Sequence, residues 1–256
     1  MSLKRLLAFV LVILFCGSVA GNFGLLRLSR RLYADALLSQ IWPEGQPPEV
    51  AVETEAPGGK TVLLLGDSRV ANWGSPQLRN FRVINAGAPG LTSAQVCLRC
   101  RQWLEKIRPD IVVIQVGIND LKVLGVRPEL RQPIVFATAS NLTAIVEQCR
   151  RAGSRVLVLA IWPGIEPAGL RRVVWSDQVN EAVAEVNQKL QNLTADPDSL
   201  RVFDLLGELR KKSSPDNCKK LYRDTLHLTT EAYARLSPLL ETSIQPWLAI
   251  DENARR

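Results

Sequence analysis

Between residues 61 and 204, five short runs of branched and aliphatic residues alternate with longer amphipathic stretches, and this alternation is the strongest constraint on the fold. The runs at 61–65, 82–85, 111–116, 155–161 and 201–204 are rich in Val, Ile and Leu. Several are apolar on successive residues, the pattern of strands buried on both faces. Helical periodicity covers 93–107, 134–152 and 174–193. A last stretch, 229–249, contains Pro238 and Pro246, which are expected to kink or break it. Parallel strands cannot be joined by a hairpin and need a crossover between them, so strand and helix in alternation imply an α/β fold. The expected architecture is a three-layer sandwich around a central, mostly parallel five-stranded sheet.

Ligands of such sheets sit where the chain leaves the carboxyl ends of the strands. At those places the sequence is polar or glycine-rich. The first run ends in Gly66-Asp67-Ser68, the second in Ala86-Gly87-Ala88-Pro89-Gly90 and the third in Gly117-Ile118-Asn119-Asp120. Asp224-Thr225-Leu226-His227 comes just before the final helix. Four clusters therefore converge on one rim.

A serine nucleophile needs a base for its proton, a carboxylate to hold that base in the right tautomer, and donors for the oxyanion. Ser68 directly follows a buried strand, and His227 is the only histidine in the 256 residues. Asp224 precedes it by three positions, close enough in a turn to reach Nδ1 while Nε2 faces Ser68. The backbone N–H groups of Ser68 and Gly90 and the side-chain amide of Asn119 can meet the oxyanion. Each piece alone has an ordinary explanation: Gly-Asp-Ser is a common turn tripeptide, and Asn119-Asp120 is also turn and cap chemistry. Their joint placement at one end of the strands, with the sole histidine among them, carries the catalytic reading. The elbow GxSxG is absent, because Arg69-Val70 follows Ser68, which argues against the α/β-hydrolase arrangement. No GxGxxG or GxxxxGK[ST] loop is present for a phosphate.

These blocks, Leu64-Leu65-Gly66-Asp67-Ser68, Val83-Ile84-Asn85-Ala86-Gly87-Ala88-Pro89-Gly90, Gly117-Ile118-Asn119-Asp120 and Asp224-Thr225-Leu226-His227-Leu228, resemble those of the SGNH hydrolases, also called GDSL esterases and lipases. The resemblance implies a flavodoxin-like sandwich and a serine esterase that needs no cofactor and no metal. It puts the nucleophile on Ser68, the acid and base on Asp224 and His227, and the oxyanion hole on Ser68, Gly90 and Asn119. Asp67, Gly87 and Asp120 take structural roles. Thr225 departs from the pattern, which commonly has glycine there, and is expected to reshape the turn that holds Asp224; Asp204 is the substitute acid. An O-acyltransferase acting on a polysaccharide, or an inactive binding module on the same fold, are the alternatives. The presence of every catalytic position weighs against the inactive module.

Residues 6–26 carry no charge and follow Lys4 and Arg5, and about 20 such residues span a bilayer core. Ser18-Val19-Ala20 has the small side chains of a signal-peptidase site, so a cleaved signal peptide and a retained anchor both fit, with the larger part exported. The expected organisation is a signal or anchor at 1–31, a Pro/Gly/acid-rich linker at 32–60, the hydrolase domain at 61–250 and a tail at 251–256. The formal charge of +7 suggests a nucleic-acid partner only until it is divided: residues 1–31 hold five cations and no anion, and the chain from 61 onward holds +6 with no basic block. No nucleic-acid partner is expected. The partners expected are an ester substrate, small or polysaccharide, and a membrane through residues 6–26. Cys97 and Cys100 lack a second pair for zinc, so Cys97, Cys100, Cys149 and Cys218 read as buried thiols or disulfides. Trp73, Trp162 and Trp175 lie near the rim and either line a substrate pocket or pack in the core. Arg69 reads as a contact for an anionic substrate group or as a solvated cation.

Overall fold

A computed structural model describes residues 2–41, 59–193, 196–211 and 215–248. The five apolar runs form β1 (Lys60–Gly66), β2 (Phe81–Asn85), β3 (Ile111–Gln115), β4 (Arg155–Leu159) and β5 (Leu200–Phe203). The helices are α1 (Leu3–Ile41), α2 (Ser68–Trp73), α3 (Ser93–Ile107), α4 (Ile118–Leu121), α5 (Arg131–Arg151), α6 (Asp177–Gln191), α7 (Leu205–Lys211), α8 (Pro215–Lys220) and α9 (Thr230–Ile244). All neighbouring strands pair in parallel, in the order β2-β1-β3-β4-β5. The sandwich expected from the alternation is what forms, with every strand pair parallel.

Because successive side chains of a strand point to opposite faces, each strand feeds two cores. Leu63, Leu65, Val112, Ile114, Val156 and Val158 join the core under α3, α5 and α6. Val62, Leu64, Ile111, Val113, Leu157 and Leu159 join the one under α2, α7 and α9. β3 and β4 end sooner than the apolar runs suggest, since Val116 and Ala160-Ile161 are buried but already belong to the exit loops. Pro238 does not break α9. It and Ala234, whose carbonyl loses its N–H donor, both face solvent, so water can take that acceptor.

The organisation before the domain needs one correction. Residues 32–41, expected in the linker, continue α1 and bury Ala34, Leu37 and Ile41 against the domain, with α3 and α4 as neighbours. The prolines and glycines of the linker begin only at Pro43, whereas 32–41 is rich in helix formers with apolar residues at the i, i+3, i+7 spacing of a packed face. The stretch from 42 to 58, and the expected tail, lie outside the described residues. The first part of α1 exposes its Leu, Val, Ile and Phe side chains and is long and apolar enough to cross a membrane, which fits a signal peptide or an anchor. All five cysteines are free thiols, with Cys100 and Cys149 buried and their sulfurs 3.8 Å apart between α3 and α5.

Gly66 closes β1 in a space that admits no side chain. A Cβ there would stand 2.2 Å from the Gln115 carbonyl oxygen and 2.3 Å from Val70 Cγ2. Gly66→Ala should therefore cost about 1–3 kcal/mol. At about 2–4 °C per kcal/mol for a domain of this size, thermal melting will show a clear drop; an unchanged melting temperature would contradict the packing described.

Candidate active site

One chain of hydrogen bonds links the three residues singled out at the rim. Ser68 Oγ lies 2.9 Å from His227 Nε2, and His227 Nδ1 lies 2.8 Å from Asp224 Oδ2 and 3.1 Å from Oδ1. Asp204 is elsewhere: its carboxylate accepts from the Gly207 N–H at 2.8 Å and starts α7.

Local structure dictates this arrangement. Ser68 opens α2, and Asp67 caps that helix by accepting from the Arg69 N–H at 2.9 Å. At the first position of a helix the Ser68 N–H has no intrahelical acceptor, so it remains a donor. Asp224 and His227 occupy a loop closed by an antiparallel bridge between Tyr222 and Leu228. Its amides are used inward: Arg223 N–H donates to the His227 carbonyl at 2.8 Å and Thr229 N–H to that of Leu221 at 2.9 Å. Asp224 Oδ1 accepts from the N–H groups of Leu226 at 2.8 Å and His227 at 3.0 Å. Thr225, the departure from the common glycine that was expected to reshape the turn, is buried, and its carbonyl accepts from Ile165 N–H at 2.9 Å. The turn therefore keeps its carboxylate on the imidazole.

Partial burial pushes the Asp224 carboxyl up, but the donors from Leu226 and His227 outweigh it and hold the group well below the usual carboxylate range. It is an anion beside the ring at neutral pH. An anion at Nδ1 favours the proton on that nitrogen and leaves Nε2 to accept from Ser68.

The oxyanion candidates meet at the same place. The loop after β2 is fastened to β1 by Ala86 N–H on the Leu64 carbonyl at 2.9 Å and Ala88 N–H on that of Gly66 at 3.2 Å. It presents Gly90 at φ +82°, a conformation that residues with a Cβ rarely adopt. Asn119 Nδ2 donates to the Leu91 carbonyl at 3.0 Å, and its Oδ1 accepts from Lys122 Nζ at 2.8 Å. The amide nitrogen carries two donors and Leu91 uses one, so one is left for a ligand. Ser68, Gly90, Asn119 and His227 line one cavity of about 470 Å³.

Behind them stand buried polar supports. The Asp120 carboxylate accepts from Ser93 N–H at 2.9 Å and Ser93 Oγ at 2.6 Å, fastening the Asn119 segment to the start of α3. Gly87 N–H donates to Asn85 Oδ1 at 2.8 Å. Asp67, Gly87 and Asp120 thus make structural contacts.

Arg69 does not meet solvent. It is fully buried, and its Nε donates to the Leu226 carbonyl at 3.1 Å and its Nη1 to that of Trp162 at 2.6 Å. The residue after Ser68 is thus tied to the residue before His227. Trp73 and Trp162 pack with Tyr233 in the core, their ring centroids 5.8 to 6.4 Å from its own, whereas Trp175 lines the cavity. Sequence reasoning missed Tyr33, Lys122 and Arg171, which also line it. Lys122 could have been found from its i, i+3 spacing to Asn119. Tyr33 and Arg171 arrive only through tertiary packing.

The sequence profile of the GDSL-like Lipase/Acylhydrolase family matches residues 64–235. Esterase TesA of Pseudomonas aeruginosa is 29% identical over an alignment of 123 residues, with coverage of 42% of this chain and 57% of TesA. The match thus spans less than two thirds of that relative. Among solved structures, the lipase/acylhydrolase from Enterococcus faecalis has a TM-score of 0.54 at 23% identity, covering 73% of this chain and 96% of its own. The aryl esterase of M. smegmatis has a TM-score of 0.56 at 16% identity, covering 74% and 100%. A carbohydrate acetylesterase from Sinorhizobium meliloti has 0.54 at 16%, covering 73% and 99%. At these identities the structural likeness is one of fold.

Two outcomes follow from the supports. Arg69→Met strips donors from two buried carbonyls, at about 1–3 kcal/mol each, so the melting temperature should fall and turnover with it. A stable, fully active variant would contradict the tie to His227. Burial raises the Asp120 carboxyl from its ordinary 3.8 to about 6 against the pull of the Ser93 donors. A group raised on folding contributes stability that is whole below 3.8 and lost as pH rises through about 6. From about pH 4 to about pH 6.5 the melting temperature of the wild type should therefore decline more than that of Asp120→Asn. Parallel curves would contradict it.

Proposed function

The chain belongs to the GDSL-like lipase/acylhydrolase family, and from that premise we propose that it is a serine esterase whose acyl-enzyme forms on Ser68. The observation that carries this reading is the unbroken relay, 2.9 Å from Ser68 Oγ to His227 Nε2 and 2.8 Å from His227 Nδ1 to Asp224 Oδ2. His227 takes the Ser68 proton as Oγ attacks the ester carbonyl, and Asp224 stabilises the imidazolium that results. The carbonyl oxygen becomes an oxyanion held by the N–H groups of Ser68 and Gly90 and the free Nδ2 donor of Asn119. His227 gives its proton to the departing alcohol, and water, deprotonated by the same ring, then releases the acid. The substrate is a carboxylic ester, a lipid acyl or carbohydrate O-acetyl group. The domain works outside the cytoplasm, behind a signal peptide or an anchor formed by α1. Nothing in this mechanism calls for a cofactor or a nucleic-acid partner.

Turnover of a series of aryl esters tests the proposal. Ser68→Ala and His227→Ala should each lower the rate by several orders of magnitude, as removal of a triad member does elsewhere. Asp224→Asn should lower it by about ten-thousandfold, with Asp204→Asn as the control that keeps its rate. A folded wild type inert on every ester, or a Ser68→Ala protein that keeps its turnover, would overturn the assignment.

A further inference from the structure

The groove between α1 and the domain carries a charge excess that the esterase mechanism does not use. Four arginines, Arg27, Arg30, Arg31 and Arg127, line its cavity of about 530 Å³ against one carboxylate, Asp35. Asp35 lies 3.9 Å from Arg31 and Glu129 lies 2.5 Å from Arg127. Both pairs reach solvent, where an ion pair holds weakly. Arg27 lies over the Phe23 ring, 4.4 Å from its centroid, which offers its N–H groups no oxygen acceptor. The Arg30 side chain has no hydrogen bond or ion pair among the described residues. The other end of the groove is apolar, with Phe23, Leu26 and Val126.

The groove lies where a bilayer spanned by α1 would end. Residues 6–26 carry no charge and as helix are about 30 Å long, the thickness of a hydrocarbon core. The polar layer outside that core is about 5–7 Å deep, or about four residues of helix, which places Arg27, Arg30 and Arg31 in it. α1 then continues without a break into the domain, where it buries Ala34, Leu37 and Ile41. Counted back from Ala34 by four, three and four, the same stripe of the helix carries Arg30, Arg27 and Phe23. The face that packs on the domain is thus the face that bears arginines at headgroup level. Arg127 reaches the groove from the domain side and is fixed there, its N–H donating to the carbonyl of the buried Val123 at 2.9 Å.

We propose that this groove is a binding site for the headgroup of an anionic phospholipid. Arg30 and Arg127 hold the phosphate, with Arg27 and Arg31 at its rim, and the first part of the acyl chains lies on Phe23 and Leu26. A guanidinium suits this ligand because its planar fork donates two N–H groups to two phosphate oxygens, and basic pockets against membrane helices take such headgroups. A zwitterionic headgroup has the same phosphate but brings its own ammonium, which the arginines repel. The bound lipid clamps α1 to the domain and fixes the tilt of the domain on the bilayer. The site shares no lining residue with the catalytic cavity. It rests on α1 being retained as an anchor and not on the esterase reading.

The test titrates the full chain, purified in a neutral detergent, with phosphatidylglycerol or with phosphatidylcholine of the same acyl chains, and counts bound lipid by native mass spectrometry. One phosphatidylglycerol should be retained per chain, at an affinity about tenfold or more above that of phosphatidylcholine, since each arginine at a membrane surface is worth about fivefold. Arg30→Gln and Arg127→Gln should each cut that preference by about fivefold. Arg151→Gln, on the exposed face of α5, should leave it as it is. Equal retention of the two lipids by the full-length chain would overturn the proposal. So would a loss in Arg151→Gln as large as that in Arg30→Gln, which would mean diffuse attraction to any surface cation. An Arg127→Gln protein that keeps the whole preference would overturn it as well, since the domain would then take no part. If the intact mass shows a chain cut after Ala20, the anchor reading falls and this site with it; the esterase reading is untouched by every one of these outcomes.

Discussion

Parallel pairing of β1 with β3, in register from Val62 opposite Ile111 to Gly66 opposite Gln115, is the constraint on which the site depends. The chain leaves β1 to build β2 on one side and returns to build β3 on the other, so the two exits open a crevice between them. Ligands collect at this point in open parallel sheets because the loops diverge there and leave space over the strand ends. Ser68 stands at one lip, directly after β1, and Asn119 at the other, directly after β3. A one-residue slip in this register would move every side chain of the slipped strand to the other face. It would also destroy the facing of Ser68 and Asn119.

The histidine comes from far along the chain and has to be held by other means. Arg69 supplies one tie, from the helix that Ser68 opens to the carbonyl of Leu226. The exit of β4 supplies others, through Ile165 N–H on the Thr225 carbonyl at 2.9 Å and the Tyr222 hydroxyl on that of Pro163 at 2.7 Å. These contacts are neutral donors or a buried guanidinium on backbone carbonyls, so they are directional and short. Desolvated in this way they keep a small loop in place, together with the packing of Leu221, Tyr222 and Leu228 in the core. The same logic explains the Asp120 carboxylate, which is kept out of water to fasten the Asn119 segment to α3.

Much of this could be read from the sequence. Strands buried on both faces write themselves as unbroken apolar runs, as Ile111 to Ile114 does, and the crossover rule then leaves few ways to connect them. Ser68, His227 and Asp224 were legible because a serine just past a strand, the sole histidine and an acid three positions before it stand out in the sequence. What the sequence hid depends on long-range packing. Residues 32–41 look like the start of a linker by their position, and only contact with α3 and α4 makes them part of the domain. Arg69 read as a contact for an anionic group or as a solvated cation because charge is ordinarily exposed, and its two carbonyl acceptors come from loops 93 and 157 positions away. Pro238 looked like a helix breaker, since the pattern alone cannot say that the freed carbonyl faces water.

The central claim is that the sheet presents Ser68 as an activated nucleophile. The most direct measurement is peptide mapping by mass spectrometry after the protein is exposed to a fluorophosphonate. The account predicts a single phosphonyl adduct on Ser68, formed by the native protein and lost when it is unfolded first. An adduct on another serine, or no adduct on a folded protein, would contradict it.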